Sequence, residues 1–253
     1  MTNSGSGTVT KLRASDGAVL GSFTVGGSPQ GIAFDGANVW VADNSGNAVS
    51  KLRASDGQAM CTFNAALNRP TGVAFDGTNV WVANSGDNTV TVVSASNCAL
   101  RNKYAVGASP SAIAFDGFNM WVANSGDNTI TELGGISGNA LGTFNVGSSP
   151  TAIAFDGTNV WVANGGTNTV TELRGNDGSL VGTFNVGNFP AGVAFDGANI
   201  WVTNSGASTV TQLRASDGSL VGSFAVGSTP QGLAFDGVCI WVANKSGATV
   251  SKL

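Results

Sequence analysis

Thr151-Ala152-Ile153-Ala154-Phe155 is a short apolar run, opened by Pro150 and closed by Asp156-Gly157, a tight-turn pair. Asn159-Val160-Trp161-Val162-Ala163 is a second run, rich in β-branched and aromatic residues. A polar turn, Asn164-Gly165-Gly166-Thr167-Asn168, leads into Thr169-Val170-Thr171-Glu172-Leu173, which alternates with period two. Asn176-Asp177-Gly178 turns the chain again, and Ser179 to Val186 forms a fourth run. The pattern predicts four short antiparallel strands, a to d in chain order. No stretch of ten or more residues keeps a 3.6-residue apolar period, so helix is not expected.

This unit is written six times. Tryptophans fall at Trp40, Trp81, Trp121, Trp161, Trp201 and Trp241, spaced 41, 40, 40, 40 and 40 residues. Pro29, Pro70, Pro110, Pro150, Pro190 and Pro230 open the units at one phase. Four antiparallel strands every 40–45 residues are the mark of a propeller blade. The inner strands a and b are apolar on both faces, so both must be covered, as a blade between two neighbours is. Gly or Ala at 31, 72, 112, 152, 192 and 232 fits a crowded inner rim. Strands c and d carry Thr, Ser, Lys and Glu and are expected to be outer and solvated. One extra residue lies between Phe63 and Pro70, in a d–a loop where insertions are tolerated.

The expected fold is therefore all-β: one six-bladed β-propeller over residues 1–253, four antiparallel strands per blade, with residues 1–28 completing the last blade. Strands a, b and d are counted six times and strand c seven, Thr8–Leu12 and Thr249–Leu253 being its terminal copies. The count predicts a ring closed by strands from both termini. The N-terminal c copy is expected inside the last sheet, leaving residues 249–253 displaced or free to enter a strand-exchanged assembly of an otherwise monomeric protein.

Composition narrows the chemistry. Histidine is absent, which removes Ser-His-Asp and Cys-His catalysis and His-ligated zinc. A net charge of -4 argues against a nucleic-acid partner, and no apolar run is long enough to span a membrane. Of three cysteines, Cys61 and Cys98 stand where sibling units have Gly222 and Gly218; the sequence alone leaves their pairing, and the state of Cys239, open. Met1 is followed by no basic start and no apolar core of an export signal, and the chain opens in mid-repeat.

The six tryptophans lie mid-strand and are read as core packing between blades rather than as sugar-stacking platforms. The Asp of each Phe-Asp-Gly is read as turn chemistry. Glu132 and Glu172 share a strand-c position with Lys11, Lys51, Val92, Gln212 and Lys252, read as a solvated face. Two polar sets are expected at one mouth of the central channel. Asp43, Asn84, Asn124, Asn164, Asn204 and Asn244 end strand b, and Gln30, Thr71, Ser111, Thr151 and Gln231, with Ala191, follow the prolines. Turn-capping explains the first set adequately; a polar binding ring is the sharper alternative.

Pro-x-Gly-Ile-Ala-Phe-Asp, Val-Trp-Val-Ala-Asn and Asn-Thr-Val-Thr-x-Leu together resemble the repeats of YVTN, NHL and streptogramin B lyase (virginiamycin B lyase) propellers, over essentially the whole chain. The lyase is a seven-bladed, magnesium-dependent enzyme that opens a cyclic depsipeptide by elimination. Its histidines follow the blade proline and its metal-linked glutamates end the Trp-bearing strand. This chain holds Gln30, Thr71, Ser111, Thr151, Ala191 and Gln231 at the former, and Asp43 with five asparagines at the latter. The resemblance implies the fold without the lyase chemistry. The expected function is a non-catalytic binding scaffold, extracellular or in the cell envelope, with no catalytic residue, no cofactor, and a protein, peptide or glycan ligand. The alternative is a lyase or hydrolase using a divalent cation at the channel mouth on Asp43.

Overall fold

The computed structural model describes residues 1–253. It is built from strands alone, 26 of them, and no helix is long and apolar enough to cross a membrane. The chain divides into two compact units, Met1–Val122 with Leu133–Ala140, and Ala123–Glu132 with Leu141–Leu253.

The first sheet holds β1 (Thr2–Asn3), β2 (Thr8–Leu12) and β3 (Val19–Thr24). The second holds β4 (Pro29–Phe34), β5 (Asn38–Asp43), β6 (Ala48–Arg53) and β7 (Ala59–Phe63). The third holds β8 (Pro70–Phe75), β9 (Asn79–Asn84), β10 (Thr89–Ser94) and β11 (Leu100–Ala105). The fourth runs β12 (Pro110–Phe115), β13 (Asn119–Asn124), β14 (Thr129–Gly134), β15 (Ala140–Asn145). The fifth contains β16 (Pro150–Phe155), β17 (Asn159–Asn164), β18 (Thr169–Arg174) and β19 (Leu180–Asn185). The sixth contains β20 (Pro190–Phe195), β21 (Asn199–Asn204), β22 (Thr209–Arg214) and β23 (Leu220–Ala225). The last holds β24 (Pro230–Phe235), β25 (Ile240–Asn244) and β26 (Thr249–Lys252).

There are thus seven blades, not six. Five carry the four strands a to d; the first lacks strand a, and the last lacks strand d. The expected closure, with residues 1–28 completing the last blade, does not occur, because the strand count missed β1. Thr2-Asn3 is a seventh strand-b end: Asn3 Nδ2 donates to Thr8 Oγ1 (3.0 Å) and Thr10 Oγ1 (2.8 Å), as Asn164 Nδ2 does to Thr169 and Thr171. Each terminal c strand therefore has its own b partner. Residues 249–252 are seated against β25 in register Trp241↔Lys252 to Asn244↔Thr249, and are not displaced.

Within a blade, proline opens strand a opposite the end of strand b, as Pro150 does opposite Asn164, a place where its missing N–H is tolerated. A bulge interrupts the c–d ladder at one phase, between Glu172 and Leu173 and between Gln212 and Leu213, adding local twist. The small residues of strand a do face crowding. A Cβ on Gly72 would lie 3.0 Å from Ala112 Cα, and one on Gly192 would meet the Gln231 carbonyl.

The core lies between successive sheets. In the first unit, Trp81, Ala83, Val90 and Val92 pack with Ile113, Met120 and Leu133. In the second, Trp161, Ala163 and Val170 pack with Val193, Ile200 and Leu213. Strand c belongs to this core: Thr169–Leu173 is as buried as strand b, and only strand d shows an exposed alternation. The expectation of a solvated strand c fails where a neighbouring blade covers it; in the last blade Thr249 and Lys252 are exposed.

Candidate functional site

The Asp of each Phe-Asp-Gly turn does more than turn the chain. Asp156 Oδ1 accepts the N–H groups of Thr158 (2.8 Å) and Asn159 (2.7 Å), an Asx turn. Its Oδ2 accepts Trp161 Nε1–H at 2.7 Å. The same indole bond recurs at Asp35–Trp40, Asp76–Trp81, Asp116–Trp121, Asp196–Trp201 and Asp236–Trp241, all within 2.6–2.8 Å. A buried indole needs a partner for its N–H, and the turn supplies one five residues upstream. For Asp35 and Asp196, burial pushes the carboxyl up, but the hydrogen bonds from the indole and from backbone N–H groups hold it below its ordinary value. At the more open Asp236, the Trp241 bond leads, followed by the N–H groups of Cys239 and Val238, and lowers it to about 2.

The residues that end strand b are equally committed. Asn84, Asn124, Asn164, Asn204 and Asn244 are buried, each with Nδ2 on the hydroxyls five and seven residues on in strand c. Their side chains lie under the d–a loop. A Cβ on Gly147, Gly187 or Gly227 would strike Asn164, Asn204 or Asn244. The Oδ1 atoms of Asn124, Asn164, Asn204 and Asn244 are buried without a partner.

Asp43 is the variant, and its surroundings vary with it. Acceptor-only, it takes the N–H groups of Gly27 (3.0 Å), Ser28 (2.9 Å) and Gly46 (3.1 Å). Strand c offers it Ala48 where siblings have Thr, and Ser50 turns instead to the Val25 carbonyl (3.0 Å). The carboxylate is 5% exposed and serves as a cap for backbone donors.

Of the residues after the prolines, Gln30 is exposed, while Thr71, Ser111, Thr151 and Gln231 are half-buried. Thr71 Oγ1 lies 2.8 Å from the Pro110 carbonyl, and Thr151 Oγ1 2.9 Å from that of Pro190, bonds that tie neighbouring inner strands. Thr71 and Thr151 are thus engaged within the fold, as are the strand-b amide nitrogens, whereas the Gln30 side chain is open.

Glu132 and Glu172, expected on a solvated face, are buried. Glu172 Oε1 accepts Asn159 Nδ2 at 2.6 Å. Burial pushes its carboxyl up, assisted by nearby Asp156, against the Asn159 bond and Arg174.

Cys61 and Cys98 form a disulfide, with Cα atoms 6.7 Å apart, joining β7 to the turn after β10 in the next blade. In sibling blades the two positions are glycines on either side of an aromatic ring: Gly182 and Gly218 both approach Phe184, and Gly142 and Gly178 both approach Phe144. That spacing is what lets two cysteines meet there. Cys239 is free and half-buried.

The sequence matches no protein-family profile and no curated protein. Solved structures do match. A hydrazine synthase of Kuenenia stuttgartiensis superposes with a TM-score of 0.86 at 19% identity, covering 98% of this chain and 89% of that one. A streptogramin B lyase gives 0.84 at 16%, covering 97% and 86%. In fold, the chain is a streptogramin B lyase-like β-propeller. A catalytically inactive virginiamycin B lyase from Staphylococcus aureus, solved with quinupristin, gives 0.83 at 19%, over 97% and 87% of the two chains.

The divalent metal implied by the lyase resemblance does not fit the residues of this propeller. No three His, Cys, Asp or Glu side chains lie together as a ligand set. Asp43, the one carboxylate among the strand-b ends, faces backbone N–H donors rather than further oxygens.

Two regularities of the sequence correspond to these bonds. Asp and Trp keep a spacing of five in all six units, and Asn is followed by hydroxyl residues at five and seven except after Asp43, where position five is Ala48.

Proposed function

We propose that this propeller is a non-catalytic binding scaffold, extracellular or in the cell envelope, whose ligand is a protein, peptide or glycan. One observation carries the reading. The polar groups that repeat from blade to blade are buried or bonded within the fold for the most part, whereas large apolar side chains are exposed at loop positions that do not repeat. Phe118 (84% exposed) and Val238 (85%) sit in a–b turns, Ile136 in a c–d turn and Phe189 in a d–a loop, where sibling units mostly carry small or polar residues. Exposed aromatic and aliphatic residues on loops over a rigid scaffold suit recognition. The chain has no histidine, and the Asp of each Phe-Asp-Gly turn is engaged by an indole, which supports a reading without acid–base catalysis. The Cys61–Cys98 disulfide supports an oxidising compartment.

The reading is tested by presenting the purified protein to glycan and peptide arrays, with Phe118→Ser and Phe189→Ser as controls. Binding to a defined class, weakened by one of these substitutions, is the expected result. Turnover of a cyclic depsipeptide or other small substrate, with no array binding, would overturn it.

A further inference from the structure

Phe189, in the d–a loop between β19 and β20, is held at φ 52°. That is the left-handed region, where a bulky side chain is rarely found, and a residue before proline is ordinarily extended. The conformation is fixed from both sides. Phe189 N–H donates to Asn168 Oδ1 (2.9 Å), and its C=O accepts the N–H (3.0 Å) and the hydroxyl (2.8 Å) of Ser205. Sibling loops keep the first of these bonds: Ser109 N–H donates to Asn88 Oδ1 (2.9 Å) and Ser149 N–H to Asn128 Oδ1 (2.8 Å). Those serines are held at φ 50° and 52°. The clamp therefore belongs to the blade, whereas a phenyl ring upon it does not. Strained residues of this kind cluster at ligand clamps and active sites.

The ring is backed on one side and open on the other. A Cβ on Gly206 would fall 2.6 Å from Phe189 Cδ2, so the ring lies against the Gly206 backbone, yet Phe189 remains 62% exposed. The same Cβ would fall 3.2 Å from Asn188 Cβ. Asn188 is exposed and its amide makes no bond within the fold; Asn168 spends Oδ1 on Phe189 and keeps its Nδ2 donor. An aromatic face and two amide groups thus meet in one pair of loops. No charged residue occurs in the loops 145–149, 164–168, 185–189, 204–208 and 225–229 at this end of the blades. A nucleic acid also stacks on aromatic rings, but it needs cations for its phosphates, and a charged peptide needs a counter-charge. A neutral sugar needs neither. Its C–H face suits the negative face of the ring, and its hydroxyls suit amides, which both donate and accept.

We propose that Phe189 is a stacking platform for a neutral oligosaccharide, with the Asn188 amide and Asn168 Nδ2 holding hydroxyls of the sugar that lies on the ring. The inference rests on the binding reading above and narrows it to one ligand class and one loop. Gly206 is a positioning residue, since it gives the ring its place without meeting the sugar.

The probes are neutral malto-, cello-, manno- and chito-oligosaccharides, titrated into the 253-residue chain by calorimetry, with oligogalacturonates and a peptide set for comparison. Binding of one neutral series is expected with a Kd of about 1 mM or tighter. Phe189→Asn, which suits the left-handed backbone, should weaken it at least about tenfold while melting temperature is held or raised. Phe189→Tyr should retain it. Gly206 has no positive φ, so Gly206→Ala is accepted by the backbone and should weaken binding by pushing the ring aside. Undiminished binding to a folded Phe189→Asn protein, or a preference for oligogalacturonates or peptides, overturns the inference and leaves the scaffold reading standing. No binding of any probe overturns both.

Discussion

Replacing Asp156 with Asn changes one oxygen to an amide and keeps the turn's shape, yet it should be among the costlier single changes in this protein. The Oδ1 bonds to Thr158 and Asn159 can survive. The group facing Trp161 Nε1–H would become an NH₂, donor against donor, where the wild type has a 2.7 Å charge-assisted bond. Trp161 is fully buried, so its N–H finds no water in exchange. Hydrogen bonds to charged groups contribute about 1.5–3 kcal/mol and a buried unsatisfied donor costs a similar amount, so the loss should be about 3 kcal/mol. In a chain of this size that is roughly 6–12 °C of melting temperature. The assay is a double-mutant cycle with Trp161→Phe, which removes the N–H at a separate packing cost, read by thermal unfolding. Coupling of about 2 kcal/mol is expected, because Asp156→Asn has little left to offend once the indole is gone. Additivity within about 0.5 kcal/mol would refute the view that the indole bond, rather than the turn, fixes Asp at this position.

Asp236 has its carboxyl depressed from 3.8 to about 2, so the stability it confers is complete above pH ~4 and lost as pH falls toward 2; a carboxyl NMR titration midpoint near 4 would contradict its bonds to Trp241 and the turn. Glu172 is shifted the other way, so folding favours its protonated form, and the associated stability is lost as pH rises through the folded value. Glu172→Gln should therefore raise the melting temperature at pH 7, with the advantage vanishing below the unfolded value of 4.5; no gain at pH 7 would count against burial as the cause. Opening the Cys61–Cys98 bridge, which spans 37 residues, should cost about 4 kcal/mol. Changing both cysteines to the glycines of sibling blades should return about 1 kcal/mol of this, since Cys98 is held at φ 57°; calorimetry with and without reductant separates the two.

The blade was legible in the sequence because its signals are local and repeated. Proline at the start of strand a, Asp-Gly at the a–b turn and alternation in strand c each act within a few residues, and six copies make the phase plain. The blade count was misread through Thr2-Asn3, too short to show any periodicity. Asn3 and Thr8 could be recognised as a strand-b end only after the five-residue link between Asn and Thr was known. The burial of Glu172 and Lys51 was hidden for a different reason. Charge on a strand is ordinarily a sign of solvent, and the partner of Lys51 lies in the turn of the next blade, some 40 residues away in sequence. Lys51 reaches the carbonyl of Ala95, which no window along strand c can reveal.

The same distinction bears on function. Asp43 and the five asparagines that end strand b look like a binding ring when read by position, since a repeat aligns them and topology gathers them at one end of each blade. Read by valence, the amide nitrogens are committed to the blade, while the Oδ1 atoms of Asn124, Asn164, Asn204 and Asn244 lie buried without a partner. Each amide nitrogen has its two hydroxyl acceptors, and the one carboxylate in the series, Asp43, has three backbone donors. A residue that all blades need alike cannot tell one ligand from another. Specificity in such a repeat therefore falls to the places where the copies differ, such as the exposed turn residues Phe118 and Phe189.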